Sequence, residues 1–483
     1  MLVRYHGGTR VRRLALAAIL LAVTGSPALA QQRGEQVDTL LTARVDSLFM
    51  PWDRTDSPGC AVAVFRDSEI IHTRGYGMAS IEHGIAITPK TVFDIGSTSK
   101  QFAALSIVLL AEEGVLSLDD DVRRFVPELP DYGSRITIRH LLTHTSGLRD
   151  YLTLWSLAGF DDADYTTGAE ALSLIARQRS LNFQPGEQYL YSNSGFFLLS
   201  VIVERASGKS LAAYAHEHIF APLAMRHTRF NDDHTAIIPN RATGYSPRAD
   251  GGFAVSMSNY EQTGDGAVNT SVEDLLSWDE NFYTAKVGSR RALESMQTPA
   301  VLNDSSRLTY ALGLRVEPYR GLPTVSHGGA WVGYRAELLR FPEQRFSVAC
   351  LCNRSDANPS RLARRVADIY LADQLGRVED ERRSEPAEPA GTVAPTLDAA
   401  ALARYAGTYD SDEIGATYTV VVESGKLVLH RRRAEPVALV PTRTDAFTAD
   451  GLYFAFQRRG SRIVGMTVDA GRTRGLLFTR RAG

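Results

Sequence analysis

The chain reads Ser97-Thr98-Ser99-Lys100-Gln101-Phe102-Ala103-Ala104-Leu105-Ser106-Ile107-Val108-Leu109-Leu110. Apolar residues on nearly every side of the segment from Gln101 to Glu113 predict a buried helix, and Gly114 marks its end. A serine and a lysine three residues apart at a helix start share one face, one above the other. A serine hydroxyl is a poor nucleophile at neutral pH and needs a base within hydrogen-bond reach. Lysine, with an ordinary pKa of about 10.4, serves as that base only when it is desolvated or crowded by another cation. The apolar helix supplies the desolvation, and the Ser97 amide at its N-terminus favours a developing oxyanion. Only Lys90, Lys100, Lys209, Lys286 and Lys426 among the 53 basic residues are lysine, so a lysine at this point is an uncommon choice. A serine that merely caps the helix, beside a solvated lysine, gives the same spacing, so the pair needs partners elsewhere.

Two other segments offer them. Tyr191-Ser192-Asn193 follows Pro185-Gly186 and precedes the apolar helical run Gly195 to Arg205. A phenol near a lysine ammonium can be held ionised and can carry a proton to a leaving group or from a water. The Asn193 amide can orient the lysine or a substrate carbonyl, and Tyr189 is an alternative if the register is shifted by two. Ser326-His327-Gly328-Gly329-Ala330 ends a strand-like run. Gly328 and Gly329 let a substrate approach the backbone, and the amide of Ala330 can complete an oxyanion hole with that of Ser97. Each segment alone reads equally well as an ordinary turn.

Taken in order, S-x-x-K, Y-x-N and H-x-G, the chain resembles the serine β-lactamase and penicillin-binding-protein-like hydrolases, in particular the branch of class C β-lactamases, D-aminopeptidases and esterases. The resemblance covers about residues 38 to 375 and takes in Leu141 to Leu148 and the stretch from Pro185 to Met225. It implies that Ser97 is acylated, that Lys100 and Tyr191 act as coupled base and acid, and that Asn193, His327, Gly328 and Gly329 line the substrate. Ser97 and Ala330 amides hold the oxyanion, water releases the acyl group, and no metal or cofactor takes part. His327 departs from the pattern. β-Lactamases usually carry a lysine there, which attracts the substrate carboxylate, whereas histidine is largely neutral above about pH 6.5. The expectation is a serine hydrolase acting on an ester or a D-residue-containing peptide or amide. The alternatives are a D,D-carboxypeptidase or β-lactamase acting on cell-wall peptides or β-lactams, and a catalytically silent sensor or binding protein using the same pocket.

Outside these motifs the chain divides by composition. Arginines at 4, 10, 12 and 13, an apolar run from Leu14 to Val23 and the small-x-small site Ala28-Leu29-Ala30 read as a signal peptide over residues 1–30. This predicts export to the periplasm or the medium, with no stable membrane span after processing. Residues 31–376 are expected to form the hydrolase domain. Strand-like runs at Cys60 to Phe65, Ile70 to Gly75, Leu322 to Val325, Arg335 to Phe341 and Phe346 to Cys352 enclose a helix-rich middle. The fold class is therefore α/β: an antiparallel sheet built from both ends of the domain, flanked by helices, plus an all-helical subdomain. Thr270-Ser271-Val272-Glu273 has capping-box spacing ahead of one of those helices. Residues 377–396, rich in charge, proline and alanine, read as a linker.

Residues 397–483 carry six short strand candidates, from Tyr418 to Thr479, which predict a small antiparallel barrel or sandwich resembling the lipocalin-like domains appended to some family members. Such a domain is expected to shape or cover the active-site entrance. A net charge of −2 gives no electrostatic reason for a nucleic-acid or anionic-membrane partner, so the expected partner is a small-molecule or short peptide substrate. Three cysteines are too few for a disulfide framework, but Cys60 can pair with Cys350 or Cys352 if the terminal strands lie side by side.

Overall fold

Cys60–Arg66 (β1) and Glu69–Tyr76 (β2) form the expected hairpin. Its two turn residues, Asp67 and Ser68, both take positive φ (50° and 68°), the hand that matches the twist of the flanking strands. The computed structural model describes residues 39–377 and 397–482. The predicted signal peptide, and all of the predicted linker except Arg377, lie outside the described residues.

Four later strands complete the sheet: Arg315–Tyr319 (β3), Leu322–Trp331 (β4), Tyr334–Phe341 (β5) and Phe346–Cys352 (β6). The order is β3-β4-β5-β6-β1-β2 and every pair is antiparallel, so strands from the two ends of the domain meet at β6 and β1. β1 and β6 are buried along almost their whole length, as befits central strands covered on both faces. Their register places Cys60 opposite Cys352 and Val62 opposite Cys350, which closes the disulfide Cys60–Cys352 and leaves Cys350 as a buried thiol. The sequence admitted either pairing, and the register decides it.

Lys100–Glu112 (α1) is buried over ten of its thirteen residues. The helical middle includes Ile138–Leu142 (α2), Tyr151–Ala158 (α3) and Asn193–Ser207 (α4), and α1 packs against α4. Pro359–Tyr370 (α5) lies on β5 and β6. The capping box at residues 270–273 does not form. Thr270 ends the strand Val268–Thr270 instead, and the Ser271 hydroxyl accepts from the Asp274 amide at 3.3 Å as the helix Asp274–Thr284 begins.

Strand β4 continues six residues beyond the expected end at Val325. The glycines at 328 and 329 were read as ending the strand; they lie within it. β3 pairs only with Leu322 to Ser326, so from His327 onward β4 has β5 on one side and the Gly96–Ser99 turn on the other.

The C-terminal strands close into an eight-stranded antiparallel barrel: Gly407–Ser411 (β7), Ala416–Glu423 (β8), Lys426–His430 (β9), Val437–Arg443 (β10), Ala446–Ala449 (β11), Leu452–Arg459 (β12), Arg462–Ala470 (β13) and Thr473–Arg480 (β14). Six were anticipated. β7 and β11, of five and four residues, are the two added, and neither carries a run of β-branched residues that marks a strand by composition. Tyr409, Tyr418, Leu429, Phe447, Phe454 and Phe478 are fully buried in the barrel core. The barrel is docked on the hydrolase fold by Arg149, whose guanidinium pairs with Glu413 at 2.8 Å and also donates to the carbonyls of Arg474 (3.0 Å) and Gly475 (2.9 Å).

Candidate active site

The turn Gly96–Ser99 is a short 3-10 helix, and α1 proper starts at Lys100. Gly96 takes φ +49°, and a Cβ built on it would lie 2.9 Å from the Ala330 nitrogen. Across the same contact, a Cβ on Gly329 would fall 1.9 Å from the Ile95 carbonyl oxygen. Two glycines thus let the Gly96–Ser99 turn and β4 touch backbone to backbone. The Gly96 amide donates to Asp94 Oδ1 (2.7 Å), the Thr98 hydroxyl to the His327 carbonyl (3.1 Å) and the Val268 amide to Ser99 Oγ (3.0 Å). The turn is pinned on three sides, and the backbone of Ala330 stands beside that of Gly96 and Ser97.

Lys100 is fully buried. Its Nζ lies 3.1 Å from Ser97 Oγ, donates to Asn193 Oδ1 at 3.0 Å and to the Asp265 carbonyl at 2.5 Å, and sits 4.9 Å from the centroid of the Tyr191 ring. Burial pulls its pKa down to about 7, against the opposing pull of the Asp265 and Asp150 carboxylates. The same desolvation raises Asp265, whose Oδ2 accepts from the Tyr151 hydroxyl at 2.9 Å. Ser97 is half-buried, and so remains open to a cavity of about 950 Å³ that also touches Tyr191, Asn193, His327, Gly328, Gly329 and Ala330. Seven residues singled out from three separate motifs therefore line one space, with the buried Lys100 Nζ 3.1 Å from Ser97 Oγ.

Tyr191 corrects one expectation. Proximity to a lysine suggested a phenolate, but desolvation raises this phenol, and Ser97 and Arg472 offset only part of the rise. The hydroxyl is buried with no hydrogen-bond partner, an environment that favours the neutral phenol over the phenolate. The alternative, Tyr189, packs edge-on against His144 and is pushed up to about 12.

His327 is buried, and both of its ring nitrogens are occupied. The Ser192 amide donates to His144 Nδ1 (3.2 Å), which makes Nε2 the protonated nitrogen of a neutral His144. That Nε2 lies 3.1 Å from the Tyr310 hydroxyl, which lies 2.9 Å from His327 Nε2, and His327 Nδ1 lies 2.7 Å from the Gly328 carbonyl. One assignment satisfies every link: His144 donates to Tyr310, Tyr310 to His327, and His327 to Gly328. Burial and the Lys100 charge lower both imidazoles, His327 to about 3, so this wall of the cavity is uncharged. His327 shapes the cavity and offers no spare donor to a substrate.

Several contributors carried no signal in the sequence. Asp150 accepts from the Asn193 amide at 2.6 Å and caps α3 through the Thr153 amide at 3.0 Å. Tyr151, Asp265 and Tyr310 act through hydrogen bonds that span 17 to 166 residues. His144 carried one clue, since a histidine within Thr143-His144-Thr145-Ser146-Gly147 takes φ +57°, an unusual backbone for a side chain of that size. Among the described residues, two groups could hold a metal: Cys60 with Cys350 and Cys352, two of which form the disulfide, and Asp233 with His234 and Glu261. Neither includes a residue of the Ser97 cluster.

The family model described as Beta-lactamase matches residues 37–373. The chain belongs to that family. It is 32% identical over 377 residues to Penicillin-binding protein 4* of Bacillus subtilis (strain 168), covering 75% of this chain and 81% of that protein. It is 31% identical over 331 residues to the D-aminopeptidase of Gluconobacter oxydans (strain 621H), covering 68% of this chain and 61% of that enzyme. The octameric penicillin-binding protein homologue from Pyrococcus abyssi superposes with a TM-score of 0.61 at 24% identity, over 92% of this chain and 99% of that one, which shows that the fold is shared. The chain is thus a Beta-lactamase-family hydrolase whose six-stranded antiparallel sheet is followed by an eight-stranded barrel. No helix among the described residues is long and apolar enough to cross a membrane.

Proposed function

We propose that the chain is a serine hydrolase that works through an acyl-enzyme on an ester or a D-residue-containing amide. Ser97 Oγ attacks the substrate carbonyl carbon and passes its proton to neutral Lys100. The amides of Ser97 and Ala330 hold the oxyanion. As the bond to the leaving group breaks, the Tyr191 hydroxyl protonates the departing atom, and the Lys100 ammonium restores the phenol. Water then attacks the acyl-enzyme with the same two groups reversed. Asn193 holds the lysine through its amide oxygen.

One observation carries this reading: Lys100 Nζ stands 3.1 Å from Ser97 Oγ at a fully buried position. Kinship with a D-aminopeptidase and a penicillin-binding protein supports the choice of substrates. A fluorophosphonate probe is expected to label wild-type protein and not Ser97→Ala, while short-chain esters, D-amino-acid amides and nitrocefin identify the preferred acyl donor. Labelling that persists in Ser97→Ala places the nucleophile elsewhere.

We also propose that residues 1–30 direct export and are removed. The Cys60–Cys352 disulfide supports this reading, because such bonds persist in oxidising compartments. Sequencing the N-terminus of protein recovered outside the cytoplasm checks it; an intact Met1 there sinks the idea.

A further inference from the structure

The turn between β13 and β14 of the barrel reaches the active site. Its backbone is held by residues of the hydrolase fold. The Arg472 carbonyl accepts from the Asp150 amide (3.4 Å) and from Asn182 Nδ2 (3.0 Å), and the Arg474 amide donates to Asn182 Oδ1 (2.8 Å). The Arg472 side chain is left over from this arrangement and lies over the catalytic tyrosine. Its guanidinium carbon is 4.7 Å from the centroid of the Tyr191 ring, and the residue lines the same cavity as Ser97.

The guanidinium is not consumed there. Its side chain is 45% exposed, and its ion-pair partner, Asp150, stands 3.9 Å away with the same oxygen, Oδ2, already accepting from the Asn193 amide at 2.6 Å. A guanidinium laid on an aromatic face keeps its N–H edge free for a planar, two-oxygen acceptor. Arg241, Arg315, Arg335 and Arg364 also line the cavity, but among the described residues Arg472 is the arginine that lies over the Tyr191 ring, and Lys100 and His327 cannot serve. Lys100 is buried among Ser97, Asn193 and Asp265, and His327 has both nitrogens engaged. Arg315 lines the cavity too, but at the Tyr310 ring, 6.0 Å from its centroid. Because Tyr191 protonates the leaving group, substituents on that group pass beside Arg472.

We propose that Arg472, delivered by the barrel, anchors a carboxylate on the leaving group, so that the preferred substrates are esters and amides whose departing part is an acid. The C-terminal residue of a short peptide fits this class, as does a carboxylated alcohol or phenol. The proposal rests on the acyl-enzyme reading above and adds the substrate's charge to it.

The test compares 3-carboxyphenyl acetate with 3-carbamoylphenyl acetate, which share an acyl group and differ in leaving-group charge. Each kcat/KM is divided by the rate of spontaneous hydrolysis. Wild-type protein is expected to favour the acid, and Arg472→Gln to lower the acid-to-amide ratio about tenfold or more through a higher KM for the acid. Arg472→Lys retains part of the preference, and Arg315→Gln retains the wild-type ratio. Equal ratios in wild type and Arg472→Gln overturn the proposal, as does a ratio that collapses in Arg315→Gln alone. Should Arg472→Gln fail to fold, the wild-type ratio decides: at or below one it rejects the anchor, and above one with a fall in Arg472→Lys it supports it. Absence of Ser97-dependent turnover of either ester rejects the hydrolase reading itself, whereas Ser97-dependent turnover without charge preference rejects only the role of Arg472.

Discussion

Arg149 meets Glu413 at 2.8 Å across the boundary between the hydrolase fold and the barrel, with 1% and 4% of the two side chains exposed. The side chains of the two residues that follow it reach residues of the Ser97 site. Asp150 holds the Asn193 amide, and Tyr151 donates to the Asp265 carboxylate, whose backbone carbonyl accepts from Lys100. Three consecutive residues therefore join barrel docking to the position of Lys100.

Removing one partner of a buried ion pair leaves an uncompensated charge, which costs about 3–5 kcal/mol. Glu413 also accepts the Arg179 amide at 2.7 Å, so Glu413→Ala loses two charge-assisted hydrogen bonds. A lower denaturant midpoint with Glu413→Ala is the expected result. A midpoint within error of wild type shows that the pair contributes nothing to stability. Deleting residues 397–483 bares Arg149 in the same way and removes Arg472, so the truncated chain is expected to lose both stability and activity.

Lys100 is expected to set the pH dependence of acylation. Its folded pKa lies near 7, below its ordinary value, so it is neutral and able to accept a proton above that pH and is an ammonium below it. The rate of Ser97 acylation is therefore expected to rise with pH through about 7 and then level off. Lys100→Arg, a cation at every accessible pH, is expected to lose about 100-fold or more at pH 8. A flat profile from pH 5 to 9 in the probe-labelling rate contradicts this role for the lysine.

Gly329→Ala tests the contact that sets the oxyanion hole. The added methyl meets the Ile95 carbonyl at 1.9 Å, a backbone atom that cannot rotate away. Separation of β4 from the Gly96–Ser99 turn is expected to slow acylation strongly, with a stability loss of about 1–3 kcal/mol. Burst kinetics and a thermal melt measure the two effects. Wild-type acylation in this variant rules out the close contact.

Thiol titration checks the register of β1 on β6. In denaturant without reductant, one thiol is expected to alkylate, and peptide mapping places it at Cys350; with reductant all three react. Reduction is expected to lower stability by about 2–4 kcal/mol. Alkylation at Cys60 instead means that the strands pair differently.

The S-x-x-K, Y-x-N and H-x-G segments were legible because each is short and contiguous, and because Gly328 and Gly329 announce a close approach to the strand backbone. The apolar run after Lys100 likewise disclosed a buried helix. Asp150, Asp265, Tyr310 and Arg472 were illegible, since each is an ordinary polar residue among its sequence neighbours. Asp265 contributes its backbone carbonyl to the lysine, an atom every residue carries.

From the amino-acid order alone follow the β1–β2 hairpin, the sheet drawn from both ends of the domain, six of the eight barrel strands, and seven residues that line the cavity together with the lysine beside them. Periodicity and motif spacing report on neighbours along the chain, and these features are set by such neighbours. Tertiary structure alone decided the partner of Cys60, the protonated state of Tyr191, the spent nitrogens of His327 and the arrival of Arg472. Each depends on desolvation or on a charge brought in from a distant segment, and burial and Coulomb fields belong to the packed molecule.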